Sequence, residues 1–171
     1  MDHKPASTEY DAFFETYVRL VPNGDFFANL QKQHDETTAL LANLPEDKIN
    51  YRYAPGKWSL KEVVGHMIDT ERIMSYRALR IGHGDTTPLP GFDQDLYVEN
   101  AGLQQVSFDS LIDEFSIVRQ ATILLFKRFA DEAFLRTGSA NQKAVTTRAL
   151  GYIIIGHAMH HSNIITERYL N

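Results

Sequence analysis

Four long segments of the chain place apolar residues three and four positions apart, the spacing that lines one face of an α-helix. Pro, Gly and capping residues separate these segments, which cover residues 26–44, 60–81, 108–129 and 147–169. Ser59 and Glu62 form a capping box that marks the start of the second segment. Four amphipathic helices bury their apolar faces most economically as an antiparallel bundle. The sequence therefore predicts an all-α protein built as a four-helix bundle.

The other segments predict one short helix and long structured loops between the helices. Helical spacing of apolar residues predicts the short helix within residues 8–21, as part of an N-terminal extension over residues 1–22. Residues 45–57 alternate aromatic and polar side chains without a partner strand, which favours an extended loop. Residues 83–106 and 131–144 lack helical periodicity, and loops longer than about 15 residues are often functional. We expect the whole chain to form a single domain.

Composition excludes several classes of protein. The chain of 171 residues has 17 Lys and Arg, 22 Asp and Glu and a formal net charge of −5, whereas nucleic-acid and anionic-membrane binders normally carry a basic stripe. It has no Cys, which excludes disulfides, thiolate metal ligands and a cysteine nucleophile. The longest apolar stretch is far shorter than the roughly 20 residues of a membrane span, and the polar first residues do not resemble a secretory signal. We expect a cytoplasmic protein that binds neither nucleic acid nor membranes.

Two histidines of the last helical segment occupy positions where the period calls for apolar side chains. His157 and His161 lie four residues apart, so their rings point in nearly the same direction. A helical pair of this kind can ligate one divalent cation. His160 points about 60° away from His157 and is either a substitute ligand or a partly exposed neighbour. The alternative is that the pair is an ordinary, satisfied one without a metal.

A third ligand has to come from another helix, and His66 is the leading candidate. It lies in the middle of the second long segment and follows Gly65, as His157 follows Gly156. A glycine inside a helix costs about 1 kcal/mol relative to alanine, so we expect a compensating close approach of the two helices at these glycines. Three neutral imidazoles leave a coordination position open, which is typical of catalytic sites.

Three polar residues lie about one helical turn from His66 and could accept a hydrogen bond from its ring. They are Glu62, Asp69 and Thr70. The alternative for Glu62 is its capping role alone, and for Asp69 simple solvation at the surface. Both alternatives stay open at the level of the sequence.

Three stretches resemble the DinB-like family of helical-bundle metalloproteins. They are Trp58–Arg72, the loop Thr87–Asp93 and the terminal run Gly156–His161. The resemblance extends from about residue 20 to residue 170. The histidine motif is specific because all three positions occur in order, the first on the third predicted helix (the second long segment) and the other two on the last.

The resemblance implies a four-helix bundle, often dimeric, that holds a divalent metal through three histidines. The positions that match are His66, His157 and His161, with His160 as a neighbour that is not a ligand. Family members with an assigned activity are chiefly transferases that use bacillithiol, mycothiol or a related thiol, and a maleylpyruvate isomerase. We expect zinc or nickel as the metal, with iron, manganese or copper as alternatives.

Three functions are compatible with these features. In the leading hypothesis the protein is a thiol-dependent transferase: a low-molecular-weight thiol binds at the open metal position, loses its proton and attacks a small electrophilic substrate. The second is a metal-dependent hydrolase of a small substrate, with Glu62 or Asp69 as general base. The third is a non-catalytic metal or small-molecule binding module, or a homodimer whose histidines only stabilise the core. In that third case, Tyr51, Tyr53, Trp58, Phe92 and Tyr97 could line a ligand pocket, with packing in the core as the default alternative.

Overall fold

The fold is a helical bundle, described for residues 4–170 by a computed structural model. In chain order the α-helices are α1 (Glu15–Val18), α2 (Phe26–Ala42), α3 (Leu60–Gly82), α4 (Gln94–Asn100), α5 (Phe108–Lys127), α6 (Asp131–Phe134) and α7 (Thr147–Ile164). A π-helical turn, Ile165–Tyr169, extends α7. The four long helices α2, α3, α5 and α7 pack against one another, with the closest association between α3 and α7. This confirms the predicted four-helix bundle.

Local side-chain caps set where the long helices begin. The Asp25 carboxylate accepts a hydrogen bond from the Ala28 amide, and Ser59 and Glu62 form the predicted capping box of α3. Ser107 and Thr146 cap α5 and α7 in the same way. Each cap satisfies an amide that the helix itself leaves unpaired. The boundaries of these helices therefore depend mainly on residues within one turn of each end.

The expected loop over residues 131–144 is wrong, because it contains α6 and most of a β-hairpin. Strands β1 (Thr137–Ala140) and β2 (Lys143–Thr146) pair antiparallel, with Thr137 opposite Thr146. Asn141 and Gln142 form the two-residue turn with φ of 51° and 63°. A turn with two positive φ angles usually contains Gly at its second position. The Gln at that position, and strands of only four residues, hide the hairpin in the sequence.

The expected loop over residues 83–106 is also wrong in part, since it contains α4. This helix of seven residues begins where the Asp93 side chain accepts hydrogen bonds from the amides of Asp95 and Leu96. It buries only Val98, so it has no apolar stripe from which it could be predicted. Residues 45–57 contain one 3₁₀ turn, Glu46–Lys48, and otherwise no helix or strand, in agreement with the expected loop.

The N-terminal segment is less regular than expected. Two 3₁₀ turns, Ser7–Glu9 and Ala12–Phe14, precede α1, so the helix predicted within residues 8–21 is reduced to a single turn. The first three residues of the predicted extension lie outside the described part of the chain. The segment packs mainly on α7, where Val18 and Val21 join the apolar core.

A buried ion pair ties three bundle helices together. Arg119 of α5 is fully buried and donates through Nε and Nη2 to the two carboxylate oxygens of Glu71 on α3, each at 2.8 Å. Its Nη1 donates to the Gln33 side chain and to the Leu30 carbonyl, both on α2. Because every part of this guanidinium has an acceptor, the buried charge is balanced by the fold itself.

No helix within residues 4–170 has the length and apolar character needed to cross a membrane.

Gly65 and Gly156 do not have the predicted role of bringing α3 and α7 together. A Cβ at Gly156 would overlap the backbone carbonyl of Tyr17 in α1, and a Cβ at Gly65 would lie 2.6 Å from the end of the Leu103 side chain. Each glycine thus makes room for a segment outside the four-helix bundle. The helical period locates the glycines but does not identify what packs against them.

Replacing Gly156 should destabilise the protein more than replacing Gly65. The Gly156→Ala methyl group meets backbone, which has to move, and such overpacking costs about 1–3 kcal/mol. The Gly65→Ala methyl group meets only a flexible side-chain end, and helix propensity favours Ala by about 1 kcal/mol. Urea unfolding of both variants measures the difference. Equal stability of the two would contradict the close packing of α1 on α7.

Candidate metal centre

The three predicted histidines meet between α3 and α7. His66 lies on α3, and His157 and His161 lie one turn apart on α7. The Nε2 atom of His157 is 3.1 Å from Nε2 of His66 and 3.1 Å from Nε2 of His161. All three side chains are buried, and their ligand nitrogens lie within 4.8 Å of one another. The fold therefore brings His66 to the pair His157 and His161, although His66 precedes His157 by 91 positions in the chain.

The arrangement of nitrogens suits a divalent cation. Three ligands at 2.0–2.1 Å from a tetrahedral ion lie roughly 3.3 Å apart, close to the two measured separations. A neutral imidazole has only one N–H, so three ring nitrogens that face one another cannot all be satisfied by hydrogen bonds among themselves. A cation at their centre would accept the lone pairs that remain. The donor set present here therefore fits a metal ion.

Burial keeps the three rings in the neutral form that binds metals. It lowers the pKa of His66 from 6.5 to about 4. Burial, together with the nearby His66 and His160, lowers the pKa of His161 to about 3. The pKa of His157 is lowered well below 6.5, first by burial and then by the neighbouring imidazoles. At neutral pH no proton competes with a metal ion for these nitrogens.

Aromatic rings cover the cluster from two sides. The Trp58 ring packs on His66 with ring centroids 4.7 Å apart, and the Tyr17 ring meets His157 edge-on at 5.3 Å. His160 lies between Tyr17 and His161, at 5.4 and 5.1 Å, and is only partly buried. The metal-capable cluster does not include His160, in agreement with its expected place as a neighbour.

Of the three polar residues near His66 in sequence, only Thr70 contacts its ring. The Thr70 hydroxyl lies 3.4 Å from Nδ1 of His66. The Glu62 carboxylate accepts a hydrogen bond from the Ser59 amide and forms an ion pair with Arg52 at 2.7 Å. Burial raises the pKa of this carboxyl, but these hydrogen bonds outweigh it and hold the pKa below its usual value. Asp69 lies 3.9 Å from Arg72 and lines a different cavity. The capping role of Glu62 is the one that the structure displays.

Two cavities reach the cluster from different sides. The larger, about 380 Å³, is lined by His66 and His157 together with Tyr17, Met74 and Arg77. We call it the proximal cavity. The second, about 240 Å³, is lined by His161 and by aromatic side chains of the following turn and loops. Gln94 of α4 lines both, so α4, which the sequence did not predict, lies where the two spaces meet.

The predicted aromatic pocket is divided among these spaces. Phe92 lines the proximal cavity, Tyr53 and Trp58 line the second cavity, and Tyr97 lines the space beside Asp69. Tyr51 packs edge-on against Tyr169. A single pocket lined by all five residues is therefore wrong, because they come from separate loops that approach the bundle at different places.

Sequence reasoning missed two residues that line the proximal cavity together with His66 and His157. Arg77 follows His66 by eleven positions, which returns it to nearly the same face of α3, and this spacing was a usable signal. Tyr17 had no such signal, because it comes from another helix and reaches the site only through the packing of α1 on α7.

The sequence and the fold both match known proteins. The family model of the DinB superfamily matches residues 29–165, which include all three histidines. The chain belongs to the DinB superfamily. This confirms the resemblance seen in the three sequence motifs. No curated protein matches the sequence significantly.

Three solved structures share the fold of this DinB superfamily member. YfiT from Bacillus subtilis, described as a probable metal-dependent hydrolase with an unusual four-helix bundle topology, is 15% identical with a TM-score of 0.75; the match covers 97% of this chain and 91% of YfiT. A mycothiol-dependent maleylpyruvate isomerase is 10% identical with a TM-score of 0.68, covering 81% of this chain and 58% of the isomerase. The DinB-like protein YjoA from Bacillus subtilis is 18% identical with a TM-score of 0.59, covering 82% and 86%.

The metal-free protein should lose stability as the pH falls below 6.5. The unfolded chain binds protons on His66 and His161 below about pH 6.5, whereas the folded chain does so only near pH 4 and pH 3. Within that window the unfolded state holds more protons, so stability decreases with falling pH by up to about 1.4 kcal/mol per pH unit for each histidine. Urea unfolding from pH 7 to pH 4 measures this slope. His66→Gln should make the dependence of the unfolding free energy on pH less steep, by the contribution of one proton. A slope as steep as that of the parent protein would contradict the buried, neutral state of His66.

Proposed function

We propose that this protein is a metal-dependent enzyme that holds a divalent cation through His66, His157 and His161 and acts as a thiol-dependent transferase. The observation that carries the proposal is the convergence of three buried, neutral imidazoles beside a cavity large enough for a small molecule. Three nitrogen ligands leave at least one coordination position for a ligand from solution. When bound, the cation would supply a position at which a thiol loses its proton.

The chain's own residues account for the other requirements of the site. The histidines are held in the neutral state by burial, so they are available as ligands at neutral pH. Tyr17 and Trp58 cover two of the rings and exclude water from them. Zinc or nickel is the proposed metal, with iron as an alternative, because imidazole suits all three; manganese, which prefers oxygen ligands, is the weaker alternative.

Several features favour a thiol cosubstrate over hydrolysis. Cavities on two sides of the histidines offer room for a cosubstrate and a substrate, and because the chain has no Cys, a thiol nucleophile would have to come with the cosubstrate. The carboxylates weighed as general bases are engaged elsewhere, since Glu62 is paired with Arg52 and Asp69 lines another cavity. The similarity to a mycothiol-dependent isomerase supports the same choice.

Hydrolysis of a small substrate is the second candidate. It is supported by the similarity to YfiT, which is described as a probable metal-dependent hydrolase and covers nearly the whole chain. Water would replace the thiol in the same cavity, so both candidates require the same three histidines. They differ in the nucleophile, which can be tested directly.

The histidine cluster should bind about one divalent ion per chain. Elemental analysis of protein purified without a His tag or chelator, followed by zinc and nickel titration of the stripped protein, measures the stoichiometry. His157→Ala should abolish binding because it removes the central ligand of the cluster. His160→Ala is the matched control, since it removes a histidine of the same helix that lies outside the cluster. Parent protein that takes up no divalent ion would overturn the proposed function.

Metal-loaded protein should accelerate the attack of a thiol on an electrophile, which for a chloroarene forms a C–S bond and releases chloride. We would monitor 1-chloro-2,4-dinitrobenzene with cysteine, glutathione, bacillithiol and mycothiol, beside p-nitrophenyl acetate without any thiol. The expected result is thiol-dependent turnover that His157→Ala abolishes and His160→Ala retains. Turnover of the ester alone would instead establish the hydrolase. Metal binding without either reaction would leave the non-catalytic binding module as the function.

A further inference from the structure

A buried arginine side chain lines the proximal cavity at some distance from the histidines. Arg77 lies three helical turns after His66 on nearly the same face of α3, with the two Cα atoms about 16 Å apart along the axis. Both residues line the proximal cavity, and Thr70 and Met74 lie between them on α3. The Arg77 side chain is only 5% exposed. One wall of the cavity therefore has imidazoles at one end and a guanidinium at the other.

The positive charge of Arg77 is not balanced by the described part of the protein. Its Nη2 donates to the Pro90 carbonyl at 2.7 Å, and Nη1 approaches the Met74 sulfur at 3.5 Å. The Phe92 ring lies 5.9 Å from the guanidinium carbon. Within residues 4–170 no carboxylate lies at ion-pair distance from Arg77. A guanidinium has five N–H donors, so donors remain for a ligand.

Comparison with Arg119 shows that the fold does balance a buried arginine where the role is structural. Arg119 is even less accessible than Arg77, but it has both oxygens of Glu71 and two further acceptors on α2. Lys143, the other cation that lines the proximal cavity, is exposed and lies 3.0 Å from the Asp11 carboxylate. Arg77 thus differs from both, because it is buried, faces a cavity and lacks an anionic partner.

We propose that Arg77 binds the carboxylate of a small organic acid that occupies the proximal cavity, with the apolar body of that acid along Met74 and Phe92. An uncompensated buried charge is unfavourable, and a carboxylate matches the planar fork of a guanidinium. One guanidinium among mostly apolar walls suits a single negative charge better than a phosphate, which carries nearly two. That this acid is the enzyme's substrate rests on the function proposed above.

The preference for a carboxylate can be measured without knowing the natural ligand. The probes are 4-phenylbutanoate and its neutral amide, 4-phenylbutanamide, which have nearly the same shape, with phenylphosphonate as a third. Isothermal titration uses the full chain after treatment with a chelator, so that no probe binds through a metal ion, and is repeated on untreated protein. We expect the acid to bind at least about tenfold more tightly than the amide, as for a charge-assisted hydrogen bond.

Variants separate Arg77 from the general field of the protein. Arg77→Gln should reduce the preference for the acid to near unity, whereas Arg77→Lys should retain part of it. Lys127→Gln is the matched control, because it removes one exposed positive charge from a residue that does not line the proximal cavity and should leave the preference unchanged. Melting temperatures show which variants fold. If Arg77→Gln does not fold, the acid-to-amide ratio in the parent protein and in Arg77→Lys decides.

Four results would overturn the proposal: equal binding of acid and amide by the parent protein, a full preference in Arg77→Gln, loss of the preference in Lys127→Gln, or tighter binding of phenylphosphonate than of the acid. Failure here is distinguishable from failure of the proposed function. His157→Ala should lose metal but keep the acid preference in chelator-treated protein. A protein that binds no metal yet prefers the acid through Arg77 would refute the enzyme function and leave the carboxylate site in place.

Discussion

The packing of α3 along α7 is the contact on which the candidate site depends. It buries His66 against His157 and His161 and brings Nε2 of His66 to 3.1 Å from Nε2 of His157. Burial keeps the rings neutral, and neutrality gives them lone pairs to donate to a metal. Without a cation, imidazoles packed this closely have ring nitrogens that lack hydrogen-bond partners. The contact that forms the bundle therefore also favours the binding of a ligand.

Segments outside the four long helices complete the site. The short helix α1 lies on α7 because Gly156 leaves room for its backbone, and this places Tyr17 over His157. The loop before α4 supplies Pro90 and Phe92 beside Arg77, and the hairpin holds that loop through hydrogen bonds between Leu89 and the β1 edge. The bundle thus provides the ligands, whereas the added segments shape the space in which a substrate would bind.

Two buried arginines show how the protein distributes charge. Arg119 is neutralised by Glu71 where three helices meet, and it therefore belongs to the stability of the bundle. Arg77 faces a cavity without such a partner, which is why we propose that it binds a carboxylate. Together with the proposed metal centre at the histidines, this asymmetry favours a small organic acid as substrate.

The sequence by itself determined the four long helices, their caps and the pairing of His157 with His161, because these features depend on residues within about four positions of one another. It located His66 as a candidate through its place on an apolar helix. The hairpin and α4 escaped prediction because their strands and helix are short and lack a regular apolar face. Only the tertiary structure decided what packs against each glycine, which carboxylates turn away from the histidines and which buried arginine is paired with a carboxylate, because these depend on contacts between segments far apart in the chain.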